Sequence, residues 1–127
     1  MQKVSGIGGV FFKTKDPAAL GAWYRDNLGV PVEEWGGCAF KWSNDAAAAT
    51  ASTVWSPFPE DSDYFAPSPK PYMINFRVGD LDAMLAQLRA NGCDVAEKTH
   101  EMEFGRFGWV MDPEGNRVEL WQPAEGC

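Results

Sequence analysis

In the run Arg117-Val118-Glu119-Leu120-Trp121 an extended chain sends alternate side chains to opposite faces, so Glu119 shares a side with Arg117 and Trp121 while Val118 and Leu120 face away. A carboxylate stripped of water binds protons more readily and can serve as a general base, which makes Glu119 the candidate catalytic residue. A neighbouring Arg77 or Lys13 would instead keep it ionised, and a carboxylate paired across a sheet with an arginine has no catalytic part at all. The same alternation at Met73 to Val78 sets Ile74, Phe76 and Val78 on one side and Met73, Asn75 and Arg77 on the other. Polar and aromatic side chains sharing one sheet face can form a ligand cup, or simply the wetted side of an antiparallel sheet.

Two helices must position these strands. Asp16-Pro17 pairs a favoured N-cap with a favoured first helical residue, and Gly29 supplies a stop; Leu20, Trp23, Tyr24 and Leu28 form the stripe between them. The second helix opens at Asp80 and ends at Gly92, with Leu81, Met84, Leu85 and Leu88 at i, i+3, i+4 and i+7. Preceding each is a matching strand, Val10 to Asp16 against Ile74 to Asp80, and the halves end alike in Thr53-Val54-Trp55-Ser56-Pro57 and Glu119-Leu120-Trp121-Gln122-Pro123. Self-similarity at a fixed offset is a sign of repeated architecture.

With strands also expected at Cys38–Trp42, Thr50–Ser56, Phe107–Met111 and Arg117–Gln122, the chain reads as β-α-β-β-β twice. This is an α+β fold of two tandem modules, related by a pseudo-two-fold, forming a cupped mixed sheet with helices outside. One domain spans residues 1–127, with modules at about 5–57 and 71–123. The repeat carries the face assignment into the first half: Gly9, Phe11 and Lys13, with Thr53 and Trp55, belong beside Met73, Asn75, Arg77, Glu119 and Trp121. Residues 43–49 read as a loop. Residues 57–71 hold five prolines and read as a linker, whose Phe58, Tyr64 and Phe65 pack as a flap over the cup or at a subunit contact.

Composition excludes several function classes. The net charge is −7, and the lysines and arginines are scattered, so no basic stripe exists to bind nucleic acid or an anionic membrane. No apolar run is long enough for a signal peptide or a membrane span, and a cytoplasmic protein is expected. Cys38, Cys93 and Cys127 are odd in number and lack CxxC spacing, which suggests reduced thiols rather than disulfides or a zinc site. His100, the only histidine, falls in the polar run Lys98-Thr99-His100-Glu101 and reads as a surface loop residue off the cup strands.

The chain resembles the vicinal oxygen chelate superfamily of glyoxalase I, bleomycin-resistance proteins and extradiol dioxygenases. The likeness rests on Lys15-Asp16-Pro17, on Trp23 to Gly29, on Asn75-Phe76-Arg77-Val78-Gly79-Asp80-Leu81-Asp82, and on Phe104 to Trp109 running into Asp112-Pro113-Glu114-Gly115-Asn116-Arg117-Val118-Glu119-Leu120-Trp121. The resemblance implies metal ligands from a histidine on the first strand of each half and a carboxylate on the last. Carried over, those places fall at or next to Gly9, at Met73, at about Thr53 and at Glu119, and only Glu119 has the right chemistry. No cofactor is therefore expected, although a divalent metal at an atypical site that includes Glu119 would make the protein a lyase, isomerase or dioxygenase. The other reading is a metal-free binding protein that stacks an aromatic or amphiphilic small molecule on Phe11, Trp55 and Trp121 and fixes its polar end with Lys13, Asn75 and Arg77. The resemblance also implies a homodimer.

Overall fold

The computed structural model describes residues 1–3, 7 and 9–127, and the expected start of the first module, at about residue 5, lies outside them. Helix α1 covers Pro17–Leu28 and helix α2 covers Leu81–Ala90. Both begin as their caps dictate. Asp16 accepts from the Ala19 N–H and Asp80 from the Ala83 N–H, each at 3.0 Å, so side-chain oxygens satisfy donors that the first turn leaves open. Gly29, at φ 69°, closes α1 in the left-handed conformation that glycine adopts most easily.

Five strands follow one another in the second half: β1 (Ile74–Arg77), β2 (Asp94–Val95), β3 (His100–Met102), β4 (Gly105–Met111) and β5 (Arg117–Pro123). They form one open mixed sheet in the order β1-β5-β4-β2, with β3 also on β4; β1 and β5 are parallel and the other pairs antiparallel. Because β2 meets Val110 and Met111 while β3 meets Gly105 to Phe107, the two are one interrupted strand along a single edge of β4. Counted so, the second half is β-α-β-β-β as expected.

The core lies between this sheet and the two helices: Leu20 and Tyr24 from α1, Leu81, Leu85 and Leu88 from α2, and Val110, Val118 and Leu120 from the strands. Phe76, Val78, Trp23, Leu28 and Met84 complete it. The alternation in β1 and β5 thus resolves as the sequence predicts, with Ile74, Phe76, Val78, Val118 and Leu120 toward the helices. In β4, Gly108 takes the helix side because α2 crosses there; a Cβ at this position would stand 3.1 Å from a Leu85 methyl.

The first half departs from expectation. Among the described residues, Val10–Asp16, Cys38–Trp42 and Thr50–Ser56 enter no ladder; they are extended or turn segments, with a short 3-10 helix at Trp42–Asn44. They meet the sheet through side chains instead, Phe40 against Phe76 with ring centroids 6.1 Å apart and Phe12 against Tyr72 at 6.5 Å. The physical reason is cover. Strand pairs with an open apolar face are marginal in water, and α1 is occupied with β1, β5 and α2, which leaves Phe11 95% and Trp55 76% exposed.

A buried polar knot ties α1 to the β4–β5 turn. Asp112 accepts from the Tyr24 hydroxyl at 2.8 Å, from the Asn116 side-chain amide at 2.6 Å, and from the backbone N–H groups of Glu114 and Asn116 at 2.8 and 2.9 Å. Tyr72 extends the knot by donating to Asn116 at 3.0 Å. Burial and the Asp112 carboxylate push the Tyr24 hydroxyl far above the ordinary tyrosine range, so it stays a donor.

Where β3 turns into β4, Gly105 has φ 130°, and a Cβ there would lie 2.2 Å from the Gln122 carbonyl oxygen and 2.7 Å from the Ala124 nitrogen. Both obstacles are backbone. Gly105→Ala is expected to lower the unfolding free energy by roughly 2 kcal/mol, combining strained dihedrals with a forced opening of the β4–β5 ladder. Urea unfolding followed by circular dichroism checks this, and an unchanged midpoint would contradict it.

Candidate functional site

On the sheet face away from the helices, the register sets side chains in rows. Asn75 stands beside Glu119 and Trp109; Arg77 stands beside Trp121 and Phe107. Glu119 is only 7% exposed, and three neutral donors hold it: the Tyr64 hydroxyl at 2.6 Å and the Trp109 indole N–H at 2.9 Å on Oε2, and the Asn75 amide at 2.8 Å on Oε1. The expected arginine partner is absent, and neither Arg77 nor Lys13 pairs with Glu119 among the described residues. Three hydrogen bonds offset part of the cost of burying this carboxylate without an ion pair, and the Arg117 guanidinium lies near enough to feel its charge.

Aromatic rings wall this carboxylate. Phe107 and Trp121 lie parallel within 2° at 6.0 Å, and Trp109 completes the cluster, against which Tyr64, Met73, Ala96 and Cys127 pack. A guanidinium stands over each indole, Arg117 at 4.6 Å from the Trp109 ring centroid and Arg77 at 5.2 Å from that of Trp121. Burial pulls Arg117 below the usual arginine range, while Tyr64 and Glu119 act in the opposite sense.

Several expected ligand residues are not assembled here. Phe11, Lys13, Thr53 and Trp55 are exposed on first-half segments outside the sheet, so the repeat does not deliver them to the cup face. Trp121 is present but has no free ring face, with Phe107 on one side and Arg77 on the other. Arg77 is also committed. Its Nε meets Asp45 Oδ2 at 2.8 Å, and its Nη1 donates to the Cys127 and Ser52 carbonyls at 3.0 and 3.4 Å. That hydrogen bond holds the Asp45 carboxyl below its ordinary range. Arg77 is therefore a strap joining loop 45–52 and the last residue to the sheet. Arg77→Met, which keeps the stem over Trp121 but removes the donors, is expected to speed amide hydrogen exchange across residues 45–52 while leaving β4 and β5 protected; equal exchange in both proteins would refute the strap.

Three further residues belong to the site: Trp109, which the sequence did not single out; Tyr64, expected in a flap over the cup or at a subunit contact; and His100, expected off the cup strands. Trp109 lies on β4, where the unbroken ladder from Gly105 to Met111 puts it on the same face as Phe107 and Met111. Tyr64 comes from the proline-rich segment and packs against Trp109 at 6.2 Å, close to a right angle. His100 corrects the sequence expectation: it lies on β3 opposite Phe107, so it belongs to the cup face, its imidazole edge-on to Trp109 at 5.5 Å. No regular alternation of 98–102 pointed there, because β3 is a three-residue fragment.

The residues do not fit the metal that the resemblance implies. Among the described residues no group of three or more His, Cys, Asp or Glu side chains could hold a metal ion. Gly9 offers no donor, Met73 is packed into the aromatic cluster, Thr53 is exposed, and the Glu119 oxygens are engaged by Tyr64, Trp109 and Asn75. The thiols are no substitute: Cys38, Cys93 and Cys127 are unpaired, and burial raises the first two above the usual thiol range.

A cavity of about 310 Å³ opens on the opposite, helix-covered side, lined chiefly by Leu28, Val30, Phe40, Phe76, Val78 and Met84. It adjoins the edge of β1 that carries no partner strand among the described residues. Among the described residues no helix is long and apolar enough to cross a membrane.

Among solved structures, TnmS3, an antibiotic binding protein from Streptomyces sp. CB03234, is similar over 98% of this chain and 100% of its own, with a TM-score of 0.61 and 19% identity. A lactoylglutathione lyase from Agrobacterium tumefaciens is similar over 95% and 96%, with a TM-score of 0.58 and 20% identity. A protein of unknown function from Agrobacterium tumefaciens str. C58 covers 93% and 98%, at 0.54 and 18%. At these identities the likeness concerns the fold, an α+β arrangement built on the βαβββ unit. The chain spans about half the length, 42% to 52%, of four other solved chains it matches. No curated protein matches it. The model of one family, described as the glyoxalase-like domain, matches residues 9–121, nearly the whole chain. The chain belongs to the glyoxalase-like domain family, within the vicinal oxygen chelate superfamily.

Proposed function

We propose that this protein binds a small aromatic or amphiphilic molecule on the cup face of its sheet, without the metal ion familiar in its superfamily. The observation that carries this reading is the Glu119 carboxylate itself: the last metal-type ligand of the set is bound by a tyrosine, a tryptophan and an asparagine inside an aromatic wall. Such a site sets one buried acceptor among rings and beside the Arg117 guanidinium, reached by a guest only where the Tyr64 segment yields its place, which suits recognition better than Lewis-acid chemistry. The likeness in fold to TnmS3, an antibiotic binding protein, supports the same direction. Isothermal titration against a panel of aromatic metabolites and antibiotics tests the proposal, and silence across the panel would count heavily against it. Stoichiometric zinc, nickel or iron bound through Glu119 would favour the alternative, a lyase, isomerase or dioxygenase with an atypical site.

The same reading includes a homodimer of two-module chains. Its support is the apolar surface of the first half, where Phe11, Trp35, Trp42 and Trp55 are each at least 70% exposed. A second copy would cover these rings. Light scattering coupled to size exclusion decides between one chain and two.

A further inference from the structure

Resting on the reading of the cup face as a binding surface, we propose that its ligand is a hydroxylated planar aromatic, a phenol or naphthol in type, whose hydroxyl takes the Glu119 acceptor now held by Tyr64. Tyr64 is then a built-in competitor for the site. Three partners hold Glu119, and two of them are fixed by the sheet: Asn75 on β1 and Trp109 on β4. Tyr64 differs, since it belongs to no helix or strand. The hydrogen bonds described between residues 57 and 71 are otherwise local, Ser62 N–H to the Pro59 carbonyl, Ala66 N–H to that of Asp63, Ser68 N–H to that of Phe65. Only Tyr64 ties the segment to the sheet, by donating to Glu119 and by accepting from Arg117 at its carbonyl. Two hydrogen bonds anchor the flap to the sheet, where a full ladder holds β4 to β5, so the flap opens at lower cost than those strands.

What surrounds the Tyr64 ring describes the ligand that would replace it. Phe58 stacks on it at 5.4 Å and 23°, Trp109 presents an edge at 84°, and the Arg117 guanidinium lies 6.0 Å from its centroid. Its hydroxyl reaches Glu119 at 2.6 Å, the length of a charge-assisted O–H to carboxylate bond. The slot therefore selects a flat ring with a neutral donor at one end. Burial together with Glu119 keeps the Tyr64 hydroxyl protonated, and a phenol in its place would meet the same field.

Calorimetry with 2-naphthol and 2-methoxynaphthalene, on the unaltered protein and on Tyr64→Ala and Tyr64→Phe, tests this. Tyr64→Ala is expected to bind 2-naphthol about tenfold more tightly than the unaltered protein does, and to prefer it over the ether by a similar factor. Tyr64→Phe, which frees the Tyr64 place on Glu119 Oε2 while Trp109 keeps its own and leaves a ring in the slot, should gain several-fold, and it decides the matter if the alanine variant does not fold. Equal affinity for naphthol and ether, or binding unchanged by either substitution, overturns the inference while leaving small-molecule binding intact. No heat from either probe with any of the three proteins overturns both.

Discussion

Asp112→Ala is expected to destabilise the protein by about 4 kcal/mol, the cost of leaving two buried donors, the Tyr24 hydroxyl and the Asn116 amide, with no acceptor. Asp112 is 5% exposed, and water cannot fully replace it. The two backbone N–H groups that it also accepts belong to a turn that can rehydrate, so they add less. Asp112→Asn keeps one oxygen in place and should cost about half as much. Urea unfolding gives both values, and a loss under about 1 kcal/mol for the alanine variant would show that the knot is not what joins α1 to the sheet.

The second large effect concerns Glu119. Glu119→Leu leaves the buried Trp109 indole N–H and the half-buried Tyr64 hydroxyl without an acceptor, while the exposed Asn75 amide turns to water, and is expected to cost about 3 kcal/mol. Glu119→Gln keeps the shape and one acceptor but removes the charge, and it isolates the electrostatic part. Tyr64 titrates above the ordinary tyrosine range because of burial first, and then because of the Glu119 hydrogen bond and charge. Without that charge its titration should move back toward the ordinary value of about 10. The sign for stability follows from proton binding. A hydroxyl whose folded-state pKa is raised contributes stability that is intact below about pH 10 and is lost as pH climbs toward the folded-state value. The unaltered protein should therefore weaken steeply in alkali, and Glu119→Gln less steeply. Ultraviolet titration of tyrosine and unfolding at several alkaline pH values check both statements; identical alkaline profiles would remove Glu119 as the cause.

How much of this could be read from residues alone depends on the range of the interaction involved. Both helices were legible because a cap and a stop are local: Asp16 and Asp80 satisfy N–H groups three residues on, and Gly29 acts at its own position. The face assignment of β1 and β5 was legible because two-residue alternation survives wherever one side is buried. The first-half strands were not settled by the same residues. Val10 to Asp16 has strand character, yet a ladder needs a neighbour and a covered face, and neither is a property of the segment itself.

The site divides along the same line. Asn75 and Glu119 could be placed together from parity, and the structure joins them at 2.8 Å. Tyr64 could be placed only as far as a flap over the cup or a subunit contact; its bond to Glu119, 55 residues away, is made by a coil segment that has no periodicity to read. The aromatic residues expected to hold a ligand, Phe11 and Trp55, follow from the repeat, but their module lacks the sheet that would aim them. Parity within β4 was the one signal left unused: Gly108 and Val110 are the small and aliphatic residues that a crossing helix requires, which gives Phe107, Trp109 and Met111 to the other side.

The uneven exposure of the indoles gives the chain two optical channels. Trp35, Trp42 and Trp55 stand in water in the first half, whereas Trp109 and Trp121 lie buried beneath guanidinium groups in the second; the sixth indole, Trp23, is half-buried against the core, and its replacement by Phe leaves only these two sets. A collisional quencher such as acrylamide reaches the first set and spares the second, so emission can be split by depth. Covering of the first half by a partner would then dim the quenchable fraction, and entry of a guest beside Glu119 would alter the shielded one. Assembly and occupancy become separate signals from a protein with no label attached.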